Sequence, residues 1–134
     1  MVVDKKSRLI ICTAFGNGKQ HDLSLFKSSK TGMHKDIKSL LDTGYVGIEK
    51  LHSNSVLPKK KSKKGRKRTE SGVLSAEDKR ANREISSERV LCENVIGMLK
   101  RFKILAEKYR NRRKRFGLRF NLLAGLYNYE TFIK

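Results

Sequence analysis

The sequence predicts a mixed α/β fold: a β-hairpin and a further strand, followed by packed helices. Three features carry that expectation. Two β-branched segments flank a polar turn at the start, an apolar segment ends at Asp42, and two long helical periodicities fill the second half. A chain of 134 residues can build one hydrophobic core but not two, so a single domain is expected over residues 1–134.

Taken in order, Met1-Val2-Val3 and Arg8 to Phe15 surround Asp4-Lys5-Lys6-Ser7 and read as the strands of a hairpin. Two strands alone are marginal, so the hairpin must pack on a helix or another strand. Gly16-Asn17-Gly18 ends the second strand, and Asp22 can cap a short helix reaching Lys27. Ile37 to Tyr45 suits a strand that turns at Asp42-Thr43-Gly44 into a helix over residues 46–52, and Ser55 to Pro58 is again extended.

Eight of the ten residues 59–68 are Lys or Arg, which cannot be core, so residues 59–72 are expected to form a mobile basic loop. Ser75-Ala76-Glu77-Asp78 then starts a long helix, with an N-cap and acids near the positive end of its macrodipole. Leu91, Val95, Met98, Phe102 and Leu105 form one apolar stripe, widened by Cys92, Ile96 and Leu99; Arg89, Glu93, Gly97 and Lys100 fall on the other side. Arg110, Arg112, Arg113, Lys114 and Arg115 make a second basic cluster. Phe116, Phe120, Leu123 and Tyr127, with Leu118, Leu122 and Leu126 beside them, predict a packed last helix over residues 116–132.

Composition narrows the function. Thirty-two Lys and Arg against 13 Asp and Glu leave a formal charge of +19, which points to a polyanionic partner such as nucleic acid. No apolar run is long enough to span a membrane, and the short one after Lys5, Lys6 and Arg8 is a poor secretory signal. Cys12 and Cys92 lie far apart in apolar segments, as reduced core thiols would, so a cytoplasmic location is expected. His21, His34 and His52 lack companions at metal-binding spacing and are expected on the surface or in loops.

Asp42, at a strand end, and Glu93, on a helix expected to be mostly buried, are the candidate acids. A buried carboxylate must be paired, protonated or bound to metal. The plainer alternative is an ordinary helix ion pair between Arg89 and Glu93, four residues apart. Lys59, Lys60, Lys61, Lys63, Lys64, Arg66, Lys67 and Arg68 can follow phosphates, with strongly salt-dependent binding, or can serve only solubility.

Asp42-Thr43-Gly44-Tyr45, a basic insertion and Arg89-x-x-x-Glu93-x-x-x-x-x-x-Lys100 occur in that order, and in this the chain resembles the DDE transposases of bacterial insertion sequences, the Harbinger-related group in particular. His21-Asp22 and the stretch Asn94 to Lys103 are similar to that group as well. Ser86 stands where the signature has a Tyr.

The resemblance implies an incomplete RNase H-like fold: a truncated catalytic domain lacking the first strand and the family's first acid, for which the turn residue Asp4 is a poor substitute. It implies that Asp42 and Glu93 are catalytic and hold Mg²⁺ or Mn²⁺, weakly without the missing acid, with Asp22 either an auxiliary ligand or a helix cap. Arg89 and Lys100 would position DNA or neutralise Glu93. Metal-dependent phosphodiester cleavage and strand transfer are expected of the complete enzyme, with the fragment inactive alone. Expected partners are transposon-end DNA and an upstream-encoded amino-terminal half or further copies of the chain. The rival readings are a non-catalytic basic DNA- or RNA-binding protein and, on charge alone, a ribosome-associated one.

Overall fold

The computed structural model describes residues 1–61, 74–107 and 115–133, and among these the fold is mixed α/β, with two small sheets and four helices. The chain divides into two compact units, Met1–Gln20 with Leu25–Thr31 and Val90–Lys134, and His21–Ser24 with Gly32–Arg89.

In the first unit, β1 (Val2–Val3) pairs antiparallel with β2 (Ile10–Cys12), with Val3 opposite Ile10. The predicted hairpin is present, with strands shorter than the apolar segments. Its turn is built by Asp4, whose carboxylate accepts from the N–H and hydroxyl of Ser7 at 2.7 and 2.6 Å. Those bonds favour the ionised form and hold the Asp4 carboxyl below its ordinary value.

Ile10, Val95, Leu99, Ala124 and Tyr127 form the core of this unit, with Met1, Val3, Leu105 and Phe120 packed against it. Helix α4 (Phe116–Phe132) docks on β2. Its Asn128 side chain accepts from the Ile10 N–H at 2.8 Å and donates to the Ile10 carbonyl at 2.9 Å, satisfying a strand edge that would otherwise be open. Phe15 packs edge-on to Phe116 and Phe120.

Two expectations are corrected here. The stripe beginning at Leu91 does not run along one helix: α2 (Ala76–Leu99) ends before Phe102, whose extended backbone (φ −80°, ψ 113°) precedes the short α3 (Lys103–Ala106). Leu105 reaches the core from that second helix, while Met98 and Ile96 are exposed. Helix α4 is packed on one face only. Ala124 and Tyr127 are buried, but Leu118 and Leu122 are 74% and 72% exposed, because the contacts with β2 use the opposite face.

In the second unit, β3 (Ser39–Leu40) and β4 (Ser55–Val56) pair in parallel. Parallel strands need a crossover, here a stretch with two single-turn 3₁₀ helices, Thr43–Tyr45 and Ile48–Lys50. The helix expected over residues 46–52 is therefore only one tight turn. Gly47 explains the break: at φ +96° its left-handed backbone redirects the chain between the two turns.

Ile48 is fully buried. His52, expected on the surface or in a loop, lies in a loop but is buried, and its Nε2–H donates to the Ile37 carbonyl at 2.7 Å, tying the crossover to the segment before β3. The amino-terminal part of α2 belongs to this unit and starts as predicted, with the Ser75 hydroxyl accepting from the Asp78 N–H at 3.0 Å. The short helix α1 (Asp22–Ser28) contributes its first residues here.

Candidate active site

Asp42 lies two residues beyond β3, where the strand's carboxyl end gives way to a turn. Its extended backbone and side chain cap the first 3₁₀ helix, Oδ1 accepting from the Thr43 N–H at 2.5 Å. Asp is one of the short polar residues favoured at such a cap. Its second oxygen, Oδ2, lies 3.3 Å from Nη2 of Arg89, which projects from α2. Asp42 and Arg89, distant in the sequence, are thus joined by an ion pair within the second unit.

Asp22, the first residue of α1, brings its carboxylate against Gly44, so closely that a Cβ at position 44 would strike it. A side chain at position 44 would therefore have to displace the Asp22 carboxylate. Just ahead of it, His21 Nδ1 accepts from the Leu23 N–H at 3.4 Å. Glu93 stands one turn after Arg89 on α2 and is exposed rather than enclosed by apolar neighbours. Lys100 follows the last turn of α2 and is exposed.

Asp22, Asp42 and Glu93 are all exposed carboxylates, and Mg²⁺ characteristically keeps much of its water, binding through one or two carboxylates together with a substrate phosphate. Among the described residues, no three His, Cys, Asp or Glu side chains gather into a group that could hold a metal ion by themselves.

The basic segment has a defined beginning. The Lys59 backbone is held by Asn82 of α2 through two hydrogen bonds, and its Nζ lies 2.6 Å from Asp78 Oδ1. That hydrogen bond lowers the Asp78 carboxyl from its ordinary range and raises the Lys59 amine. Lys60 and Lys61 are exposed, whereas Lys63, Lys64, Arg66, Lys67 and Arg68, with the cluster at 110–114, lie outside the described residues. Sequence reading missed Asn82 because an isolated Asn in a polar helix carries no pattern; it also missed the engagement of Lys59 by Asp78.

Cys12 and Cys92 are thiols, both half-buried. Among the described residues no helix is long and apolar enough to cross a membrane.

Comparison with known proteins agrees with the motifs. The family described as DDE superfamily endonuclease matches residues 1–128. A probable transposase for insertion sequence element IS702 from Microchaete diplosiphon is 45% identical over 134 residues, covering 100% of this chain and 46% of the relative. The chain thus spans less than half the length of that curated relative. No solved structure matches.

Proposed function

The chain belongs to the DDE superfamily endonuclease family, and we propose that it is a fragment of a transposase catalytic domain of RNase H-like fold, acting on transposon-end DNA in the cytoplasm. The observation that carries the proposal is the Arg89–Asp42 ion pair, which joins the acid of one family motif to the arginine of the other.

On this reading Asp42 and Glu93 are two of the three acids of the family's site. Asp42 offers oxygen from a turn, where its backbone is fixed by the Thr43 cap, and Glu93 offers it from α2. Asp22 is an auxiliary donor, poised by its contact with Gly44. A bound Mg²⁺ or Mn²⁺ would supply Lewis acidity at the scissile phosphate, activating the attacking oxygen and stabilising the leaving one. Arg89 and Lys100 orient the strand beside Glu93. Lys60, Lys61 and the basic run through Arg68 follow the sugar–phosphate backbone, a sequence-independent grip.

The 134-residue polypeptide binds DNA without cleaving it, and cleavage and strand transfer follow when an amino-terminal segment, in the same polypeptide or a partner, supplies a third acid. The test is to join the chain to the portion of the IS702-type relative that it does not span and assay a transposon-end duplex with Mg²⁺. Cleavage is expected, and it should be lost on Asp42→Asn or Glu93→Gln. Cleavage retained by both variants would overturn the proposal.

A further inference from the structure

We propose that the outer face of α4 binds a second copy of this chain, the two helices packing antiparallel about a two-fold axis beside Gly125. The inference is independent of the acids and of any metal. On α4 and its C-cap, Leu118, Leu122, Leu126, Tyr129, Phe132 and Ile133 are each between 43% and 82% exposed. At about 100° per residue they form one stripe without a charged side chain, opposite the face that buries Ala124 and Tyr127. Together they present roughly 700–800 Å² of mostly apolar surface, more than the about 300–600 Å² of an ordinary monomer's largest patch and close to the about 800 Å² each partner buries in a standard interface.

Three features select the same stripe of another copy as its cover. The chain carries a formal charge of +19 yet leaves this face neutral, so an apolar surface is the partner that gains most there. Leu118, Leu122, Gly125, Leu126, Tyr129 and Ile133 follow at intervals of four, three, one, three and four residues, the same read in either direction, as a self-complementary two-fold contact requires. At the centre a Cβ on Gly125 would meet nothing within 4 Å, which lets two backbones approach closely. Finally, Arg119 and Glu130 border the same side of the stripe towards opposite ends. Antiparallel packing brings the arginine of each copy level with the glutamate of the other, and sets the basic clusters that precede α4 at opposite ends of the pair, where they repel least.

Light scattering and sedimentation equilibrium of the 134-residue chain test this, with circular dichroism to confirm that each variant keeps its helix content. The parent should be a dimer with a Kd on the order of micromolar or tighter. Leu122→Glu and Tyr129→Glu should each weaken association at least about tenfold by placing an unpaired charge in the contact. Ile37→Glu, at an exposed apolar residue of the other unit, should leave it unchanged. Cysteine cross-linking reads the register, with the parent as the control for Cys12 and Cys92. A mixture of Leu122→Cys and Tyr129→Cys chains should form a disulfide between copies. Leu122→Cys alone should not, because the two positions 122 would lie about 10 Å apart along the pair.

A parent that stays monomeric well above micromolar concentration, or a dimer that both glutamate variants leave intact, overturns the proposal. If the chain is monomeric and hydrogen exchange in α4 slows only when it is joined to the part of the IS702-type relative that it does not span, the cover is that segment instead. Cross-linking of Leu122→Cys to itself overturns the antiparallel arrangement.

Discussion

Asn82 clasps Lys59 by both of its backbone polar groups, accepting from its N–H at 2.9 Å and donating to its carbonyl at 3.0 Å. One amide side chain here does what a neighbouring strand would do, and Asn128 repeats the device on Ile10 in the other unit. The basic run therefore begins at a fixed point on α2. Asn82→Ala removes both bonds and should cost about 1–2 kcal/mol of stability. The Lys59 amide should then exchange with solvent at least about tenfold faster, as read by hydrogen-exchange NMR. Unchanged protection at Lys59 would refute the clasp.

The Lys59–Asp78 tie sets a pH dependence. The hydrogen bond holds the Asp78 carboxyl below its ordinary 3.8 and the Lys59 amine above 10.5. A lowered acid contributes fully above its unfolded value, and the contribution is lost as pH falls through the lower folded one. A raised amine contributes fully below its unfolded value and loses that contribution as pH rises through the higher folded one. The melting temperature of the parent should exceed that of Asp78→Asn by a constant margin between about pH 5 and pH 9. The margin should shrink towards zero below about pH 3. A margin that persists in acid would show that Asp78 acts through packing instead.

Pairing also ranks the lysines. If Lys60 and Lys61 each neutralise one phosphate, replacing both by Gln should reduce the slope of log affinity against log salt by about 1.8 on duplex DNA. Lys59→Gln should reduce it by less, because its charge already faces Asp78. Equal effects at all three positions would mean that the tie opens on DNA.

His52 supports the turn that presents Asp42. Its ring is buried and bonds to the Ile37 carbonyl, just ahead of β3. His52→Ala leaves that carbonyl without its partner and opens a cavity, so a loss of about 2–3 kcal/mol is expected in denaturant unfolding. A loss below about 0.5 kcal/mol would contradict that role.

What the sequence made legible follows physical period and local chemistry. The hairpin, the strand end at Asp42, the cap at Ser75 and the span of α4 all rest on near-neighbour patterns that a linear reading detects. The helix over residues 46–52 was misread because one glycine in a left-handed conformation outweighs the propensities around it. Phe102 extended the apolar stripe in sequence, yet its backbone ends the helix in space. Of the candidate site, the acids and their motif spacing were readable. The partner of Arg89 was not: Glu93 lies four residues away by helix geometry, whereas Asp42 is brought to Arg89 by the fold.

The most direct test is a double-mutant cycle on Mn²⁺ affinity using Asp42→Asn, Glu93→Gln and the pair. Ligands of one shared ion act as a unit, so each single change should weaken binding about tenfold, with the double variant scarcely weaker than either. Singles that leave affinity unchanged, or losses that add in full, would mean that Asp42 and Glu93 do not hold the same ion.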